Sequence, residues 1–242
     1  MFAMPWTVNY YDCDAANLLK ISAAMRYMQQ TSSKHLETLG ISPENLYRQG
    51  MVFLLSKMCI KVHRMPKTAE DIVIKTAATE TRGARFAREF IMISKTGERL
   101  VSALSLWVLA DTKSHKIIRP RDFTYPLPFM PPILEGAIED VKIPKLSDNA
   151  EDTVKTSIQV RYSHMDLNRH VNNGVYADFI CDALPCDKLL ERGLSLFVVS
   201  FVSEARCGDI IEVLKSSLGD TEYLVSGRHG GGVSFESYVV LK

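Results

Sequence analysis

Two stretches of the chain carry apolar residues at helical spacing. Residues 21–39 repeat apolar side chains at three- and four-residue steps, and Gly40 follows as a C-terminal cap. Residues 175–184 repeat the same spacing, and Pro185 stops the pattern. We therefore predict one long helix in each half of the chain.

Each predicted helix is followed by segments with the alternation or the short apolar runs of β-strands. The predicted strands are Val52–Val62, Asp71–Thr79, Phe86–Ser94 and Leu100–Ala110, and then Leu196–Ser203, Ile210–Leu214, Tyr223–Arg228 and Val233–Leu241. A strand, a helix with one apolar stripe and a run of antiparallel strands form an α+β arrangement in which the sheet curls around the helix. This pattern predicts two tandem hotdog domains that pack as a pseudo-dimer.

The two halves also match in sequence before their helices. Val8 and Asp14 correspond to Val160 and Asp166 at a constant offset of 152 residues. The matched order of strand, helix and strands indicates an internal duplication.

A proline-rich segment separates the halves. Six of the ten prolines lie between Arg119 and Asn149, where they disfavour a helix interior or a central strand. We predict an N-terminal domain over residues 1–118, a linker over 119–149 and a C-terminal domain over 150–242.

Composition and charge narrow the class of protein. The chain has 242 residues, 46% of them hydrophobic and 24% charged, with a net charge of +1. These values exclude a disordered chain and a protein drawn to nucleic acid or membrane by bulk charge. Five cysteines without a C-x-x-C pair, and no targeting or membrane segment, favour a reducing cytoplasm.

The most informative polar segment lies just before the second helix. Asp166, Asn168 and His170 occupy alternating positions, so an extended chain would turn all three side chains to one face. Helix capping alone requires only one such residue. The matching positions of the first half hold Ala16 and Leu18 in place of Asn168 and His170. This difference favours a functional role over a purely structural one.

The start of the second helix offers a further set of hydrogen-bond donors. Val171, Asn172 and Asn173 are expected to present free backbone N–H groups there, where the helix dipole favours negative charge. We expect these groups to help stabilise an oxyanion.

Two more residues follow the apolar run of the next strand. Glu204 is either a solvated strand end or a partly desolvated base. Cys207 is either a small buried residue or a nucleophile served by His170 and Asn168. The sequence leaves both questions open.

These residues resemble those of a known family. The segment Asp166-Leu167-Asn168-Arg169-His170-Val171-Asn172-Asn173, with Tyr176 after it, resembles the D-x-N-x-H-V-N-N signature of acyl-acyl-carrier-protein thioesterases. The resemblance extends over nearly the whole chain. Plant members carry Glu-Cys-Gly where this chain has Arg206-Cys207-Gly208, and Glu204 lies four residues before the glycine, as in bacterial members. Because alternate strand residues share a face, we expect Glu204 to serve where the plant glutamate does.

The resemblance implies hydrolysis of fatty acyl thioesters of acyl carrier protein in fatty acid biosynthesis. It implies Asp166, Asn168, His170 and Glu204 as catalytic residues. On physical grounds Glu204 would activate water, with His170 as the alternative base or proton shuttle. The Asn168 amide and a backbone N–H near the helix start would polarise the carbonyl, and Asp166 would orient Asn168 or the local backbone. Two alternatives stay open, namely an acyl-CoA thioesterase of the same fold and a non-catalytic acyl-binding module.

No metal or cofactor is expected, because the histidines and cysteines lack a familiar zinc spacing. A serine hydrolase and a nucleotide-binding enzyme are disfavoured, since neither G-x-S-x-G, a P-loop nor G-x-G-x-x-G occurs.

The first half is expected to bind the acyl chain, because it keeps the fold without the catalytic pair. The candidate pocket walls are Met25, Met28, Met51, Phe53 and Trp107. Residues 57–99 hold ten basic and five acidic side chains, which suggests a basic landing patch for an acidic carrier protein. A homodimer through the sheet edges is the other partner considered.

Overall fold

The computed structural model describes residues 1–114, 116–125, 127–128, 138–145 and 154–242. The α-helices within these ranges are α1 (Ile21–Thr38), α2 (Pro43–Arg48), α3 (Asn173–Asp182) and α4 (Cys186–Arg192). The strands are β1 (Phe2–Thr7), β2 (Met51–Val62), β3 (Asp71–Arg82), β4 (Arg85–Ser94), β5 (Arg99–Asp111), β6 (Ile117–Ile118), β7 (Val154–Gln159), β8 (Leu194–Phe201), β9 (Ile210–Ser217), β10 (Glu222–His229) and β11 (Gly232–Leu241). Both predicted helices and all eight predicted strands are present, with shifts of a few residues at their ends.

One antiparallel sheet runs through both halves in the order β1-β3-β4-β5-β2-β8-β11-β10-β9-β7, and the short β6 pairs with β5. The order within the first half is repeated in reverse in the second, so β2 and β8 meet at the centre. They pair antiparallel from Lys57 opposite Ser200 to Lys61 opposite Leu196. The predicted α+β fold of two tandem hotdog units is confirmed.

The duplication is visible in individual hydrogen bonds. The N–H of Asp14 donates to the carbonyl of Leu18, and the N–H of Asp166 donates to the carbonyl of His170 in the same way. A residue with positive φ closes each turn, Asn17 at 60° and Arg169 at 64°. The predicted 152-residue offset therefore holds for the backbone as well as for the sequence.

The two principal helices, α1 and α3, pack against each other. Gly174 of α3 and Ser22 of α1 are equivalent at the 152-residue offset, and a Cβ placed on Gly174 would lie 3.2 Å from the Ser22 carbonyl oxygen. Contact between equivalent positions is expected where a pseudo-two-fold axis passes. The apolar faces of both helices share one core with the inner side chains of the strands.

Part of the predicted linker covers the outer face of the sheet. Ile138 is buried against Cys59 and Val198, which lie on the two central strands. The Lys57 ammonium donates to the Asp140 carboxylate at 2.6 Å and to the Val141 carbonyl at 2.7 Å. Pro126, Pro131 and Pro132 of the same predicted linker lie outside the described residues. The domain limits at 118 and 150 stay a prediction.

A glycine in β10 provides a test of the packing in the second half. A Cβ on Gly227 would lie 2.1 Å from Cε1 of Phe235, which is fully buried on β11 directly opposite. We expect Gly227→Ala to lower the free energy of unfolding by ~1–3 kcal/mol through overpacking, as measured by urea denaturation. Gly219→Ala is the matched control, because a Cβ there meets nothing within 4 Å. Equal stability of the two variants would contradict this packing.

Candidate active site

The segment predicted to be extended is a tight turn. Asp166 Oδ1 accepts the backbone N–H of Asn168 at 2.8 Å, and the N–H of Arg169 donates to the Asp166 carbonyl. Met165 and Val171 pair across the base of the turn. The prediction that alternate side chains share one face of a strand is therefore wrong for Asp166, Asn168 and His170. These residues lie on a turn and not on an extended segment.

The backbone donors at the start of α3 are only partly available. The N–H of Val171 donates to the Ala205 carbonyl, and the N–H of Asn172 donates to the His164 carbonyl. The prediction that both would be free is wrong, because the paired turn uses them. Within the described part of the chain, the N–H of Asn173 forms no hydrogen bond, as expected for the first residue of a helix. The side chain of Asn172 caps the helix by accepting from the N–H of Gly174 at 2.9 Å.

Glu204 lies in a loop, and its carboxylate contacts His170. Strand β8 ends at Phe201, so the expectation that Glu204 lies on a strand is wrong. The Nε2 atom of His170 lies 2.9 Å from Oε2 of Glu204, with the two side chains 23% and 48% exposed. A carboxylate at this distance accepts the imidazole N–H and fixes the orientation of the ring. The structure thus joins an imidazole and a carboxylate from two different elements.

Buried hydrogen bonds hold the loop that carries Glu204. The hydroxyl of Tyr176 accepts the backbone N–H of Ala205 at 3.2 Å and lies 3.2 Å from the hydroxyl of Ser234. The Ser234 hydroxyl in turn donates to the carbonyl of Ser203 at 3.0 Å. Burial raises the pKa of Tyr176, so the phenol stays protonated. Both neighbours of Glu204 are therefore fixed to the core.

A large cavity is lined by neighbours of this pair in the chain, among them Arg169 and Cys207, although neither His170 nor Glu204 itself lines it. Its volume is about 1480 Å³, and side chains from both halves line it. Asn168 and Cys207 line it from the second half, close in sequence to His170 and Glu204. The Asn168 side-chain amide makes no hydrogen bond to another described residue, so it is free to bind a group in the cavity.

The first half supplies much of the cavity wall. Met51, Phe53 and Trp107, three of the predicted pocket residues, line it. The prediction for Met25 and Met28 is wrong. Both are buried in the core between α1 and the sheet, with 4% and 1% of their surface exposed. A methionine at helical spacing fills gaps in packing equally well, and here the helix turns this face inward.

The predicted basic patch between residues 57 and 99 is not a continuous surface. Lys57 is buried against Asp140, and Arg88 is buried with 5% of its surface exposed. Arg64 is neutralised by Glu70 and Glu98, each at 2.8 Å. The prediction is wrong because the sheet buries some of these charges and pairs others.

Other basic side chains surround the cavity instead. Arg48, Arg169 and Arg206 line it, and none of them forms an ion pair with a described residue. The sequence pattern gave no signal for them, because they come from three separate segments. Together with Arg88 they outnumber the two carboxylates of the lining, Glu44 and Asp166.

The first half shows what the same backbone looks like without polar side chains. The N–H of Leu19 donates to the Pro66 carbonyl, as that of Val171 donates to the Ala205 carbonyl. Leu18 and Met65, which precede Leu19 and Pro66, thus occupy the positions that correspond to His170 and Glu204. The backbone arrangement forms with apolar residues at these positions, so it does not depend on the imidazole or the carboxylate.

Three further observations concern the described residues. Cys207 is exposed at the cavity and forms no disulfide. No group of three or more His, Cys, Asp or Glu side chains in these ranges is arranged to hold a metal ion. None of the helices described is long and apolar enough to span a bilayer.

Comparison with known proteins identifies the family. Residues 1–125 match the model of the acyl-ACP thioesterase N-terminal domain, and residues 147–231 match that of the C-terminal domain. The fold and the family models agree, and the chain belongs to the acyl-ACP thioesterase family.

Individual relatives are distant in sequence. An acyl-[acyl-carrier-protein] hydrolase of Cuphea viscosissima is 24% identical over 226 residues, which cover 88% of this chain and 54% of that protein. A palmitoyl-acyl carrier protein thioesterase of Cuphea hookeriana is 23% identical with the same coverage. This chain spans about half the length of the curated relatives it matches.

Solved structures share the fold over the full chain. An acyl-ACP thioesterase from Bacteroides thetaiotaomicron superposes with a TM-score of 0.85 at 20% identity, covering 99% of this chain and 97% of that one. A 12:0-ACP thioesterase from Umbellularia californica superposes with a TM-score of 0.81 at 19% identity, covering 100% and 96%.

The Tyr176 hydroxyl provides a test of how the Glu204 loop is held. We expect Tyr176→Phe to lower the free energy of unfolding by ~1–3 kcal/mol, because the buried N–H of Ala205 loses its acceptor. Urea denaturation measures the change. Tyr162→Phe is the matched control, since Tyr162 is 86% exposed. If Tyr176→Phe is as stable as Tyr162→Phe, the loop is held by other contacts.

Proposed function

We propose that this chain hydrolyses fatty acyl thioesters of acyl carrier protein and releases the free fatty acid. The observation that carries the proposal is the contact of 2.9 Å between His170 Nε2 and Glu204 Oε2, two residues whose chain neighbours Asn168 and Cys207 line a cavity of about 1480 Å³. The relatives from the two Cuphea species, an acyl-[acyl-carrier-protein] hydrolase and a palmitoyl-acyl carrier protein thioesterase, support this reaction.

The reaction begins with attack of water on the thioester carbon. Glu204 accepts hydrogen bonding from His170 and keeps a second carboxylate oxygen that can take a proton from the water. The new C–O bond places negative charge on the former carbonyl oxygen. The Asn168 amide and the N–H of Asn173 are free to stabilise this charge, and one such donor is typically worth ~2.7–4 kcal/mol in the transition state.

The second step breaks the carbon–sulfur bond. The carrier leaves as a thiolate, and the proton taken from water returns to that sulfur through the coupled His170 and Glu204 pair. The products are the free acid and the carrier's thiol, so no other reactant is needed. Asp166 acts as a positioning residue, because its carboxylate accepts the N–H of Asn168 and fixes the turn.

A covalent route through Cys207 is the alternative mechanism. A thiol nucleophile needs an adjacent base. Within the described residues the Nε2 atom of His170 is engaged by Glu204, and Cys207 has no hydrogen bond to either residue. This arrangement favours water as the nucleophile.

The carrier is the second part of the proposal. Arg48, Arg169 and Arg206 add positive charge to the cavity lining, and this charge would complement an acidic carrier protein. Coenzyme A is anionic too, so a panel of acyl carrier protein and CoA thioesters of equal chain length separates the two carriers. The cytoplasmic location and a homodimer remain predictions.

Substitution of the three central side chains tests the proposed chemistry. We expect Asn168→Ala to lower kcat for acyl carrier protein thioesters by roughly 10²–10³-fold. We expect His170→Ala and Glu204→Gln each to lower it by roughly 10²–10⁴-fold, because each removes a proton-transfer group. Release of free thiol measures the rate. Glu236→Gln, an exposed carboxylate on β11, is the control.

The outcome separates an enzyme from a binding module. If the unaltered chain hydrolyses the thioester and all three variants do so at the rate of the Glu236→Gln control, the three residues have no catalytic role. An unaltered chain that binds acyl thioesters without hydrolysing them would instead support the acyl-binding alternative.

The arginines of the cavity lining provide a separate test of carrier binding. We expect Arg169→Ala and Arg206→Ala to raise KM for acyl carrier protein several-fold at low salt, and less at high salt. Neutral acyl pantetheine thioesters should be hydrolysed as before, because they carry no phosphate. Arg228→Ala, on exposed β10 surface away from the cavity, is the control. An equal change in KM for both substrates would contradict a role in carrier docking.

A further inference from the structure

An unpaired charge lies in the wall of the cavity. Arg88 is 5% exposed and lines the cavity from β4. Its Nη1 atom donates to Nδ1 of His35 at 3.0 Å and to the hydroxyl of Thr76 at 3.2 Å. Within the described ranges no carboxylate pairs with it, and neither Nε nor Nη2 forms a hydrogen bond. One edge of the guanidinium is therefore without a protein partner.

The surroundings keep Arg88 cationic without neutralising it. Burial, and then the positive charge of Arg88, lower the pKa of His35 to about 4, so the ring is neutral at neutral pH and can accept from Nη1. Burial lowers the pKa of Arg88 to about 10, which still leaves it protonated. A buried unpaired charge is costly, and such groups normally pair with an opposite charge or bind a ligand.

A second unpartnered polar group lies beside it on α1. Ser32 is 6% exposed and lines the cavity one helical turn before His35, which contacts Arg88. In the part of the chain that the structure describes, its side-chain hydroxyl makes no hydrogen bond. Residues three apart on a helix are neighbours on one face. The hydroxyl and the guanidinium thus belong to the same region of the cavity.

We propose that Arg88 and Ser32 bind an oxygen-bearing group on the acyl chain, so that the preferred substrates carry a hydroxyl or carboxyl group remote from the thioester. This inference rests on the proposed thioesterase function. The free Nε and Nη2 donors form the edge of the guanidinium that binds two oxygens side by side. A plain hydrocarbon chain would leave these donors unsatisfied against an apolar surface, at the expense of affinity.

Binding of non-hydrolysable ligands tests the proposal without relying on catalysis. The probes are pantetheine thioethers with plain alkyl, ω-hydroxyalkyl and ω-carboxyalkyl chains, matched at each chain length and measured by titration calorimetry. We expect the carboxyl or the hydroxyl probe to bind the unaltered chain on the order of ten- to a hundredfold more tightly than the alkyl probe at the best-fitting length. Equal or tighter binding of the alkyl probe at every length would overturn the proposal.

Three variants identify the residues responsible. Arg88→Met should abolish the preference for the oxygen-bearing probe and improve binding of the alkyl probe. Arg88→Lys, which keeps the charge and loses the paired donors, should retain only part of the preference. Ser32→Ala should reduce it less. Arg85→Met is the control, because Arg85 lies on the same strand, outside the cavity lining, and pairs with Asp140 at 3.4 Å.

The outcome for this inference can be distinguished from the outcome for the proposed function. Hydrolysis of plain acyl thioesters with no preference among the thioethers would leave the enzyme intact and remove the role of Arg88. Preferential binding without hydrolysis of any thioester would support the role of Arg88 and contradict the proposed hydrolysis. A preference that survives in Arg88→Met would also overturn the assignment.

Discussion

The antiparallel pairing of β2 with β8 is the contact on which the arrangement depends. Without this pairing, the sheet of one half would end at β2 and the sheet of the other at β8. An edge strand exposes unpaired N–H and C=O groups, which pair readily with other chains. Pairing Lys57 with Ser200 through Lys61 with Leu196 removes both edges at once. It also sets α1 against α3, so the cavity receives one wall from each half. The candidate site exists only because the halves are joined in this register.

The duplication explains how one half acquires reactive side chains without loss of structure. The turn before each helix is held by backbone hydrogen bonds and by an aspartate, Asp14 or Asp166, that accepts a backbone N–H. The remaining side chains of the turn are therefore free to vary. The first half places Leu18 where the second places His170, and the turns still match bond for bond. Stability resides in the repeated backbone, and the proposed chemistry resides in the side chains that differ.

The fold could be predicted from the sequence because the patterns that indicate helices and strands are local. Helical spacing, strand alternation and the repeat at 152 residues depend on neighbours in the chain, and the structure reproduces them. The sequence did not predict side-chain contacts that are made with distant segments of the chain. The loop around Glu204 depends on Tyr176 and Ser234, which lie 28 and 30 residues away in the chain. No periodic pattern contains these contacts.

Two predictions at the site were wrong for different physical reasons. Treating Asp166, Asn168 and His170 as a strand ignored the ability of an aspartate side chain to form a turn with the backbone two residues on. The interpretation of Met25 and Met28 as pocket walls was wrong because both side chains are buried in the core between α1 and the sheet. In contrast, Arg88 gave a readable signal. It stands at even spacing between Phe86 and Phe90 in an apolar strand, so its side chain had to point to the same face as those rings.

Lys57 and Arg88 are both buried cations of the described strands, but their hydrogen-bond partners differ in charge. Lys57 has a carboxylate at 2.6 Å and a carbonyl at 2.7 Å, so the segment that covers the outer face also neutralises its charge. Arg88 has a neutral imidazole and a hydroxyl at one nitrogen and no anion among the described residues. The fold supplies a counter-ion for Lys57, but no described carboxylate pairs with Arg88. Keeping Arg88 buried therefore costs stability. Such a cost is typical of functional sites, where polar groups are left to be satisfied by a ligand. The difference between the two cations is the physical reason for relating Arg88 to the occupant of the cavity rather than to the fold.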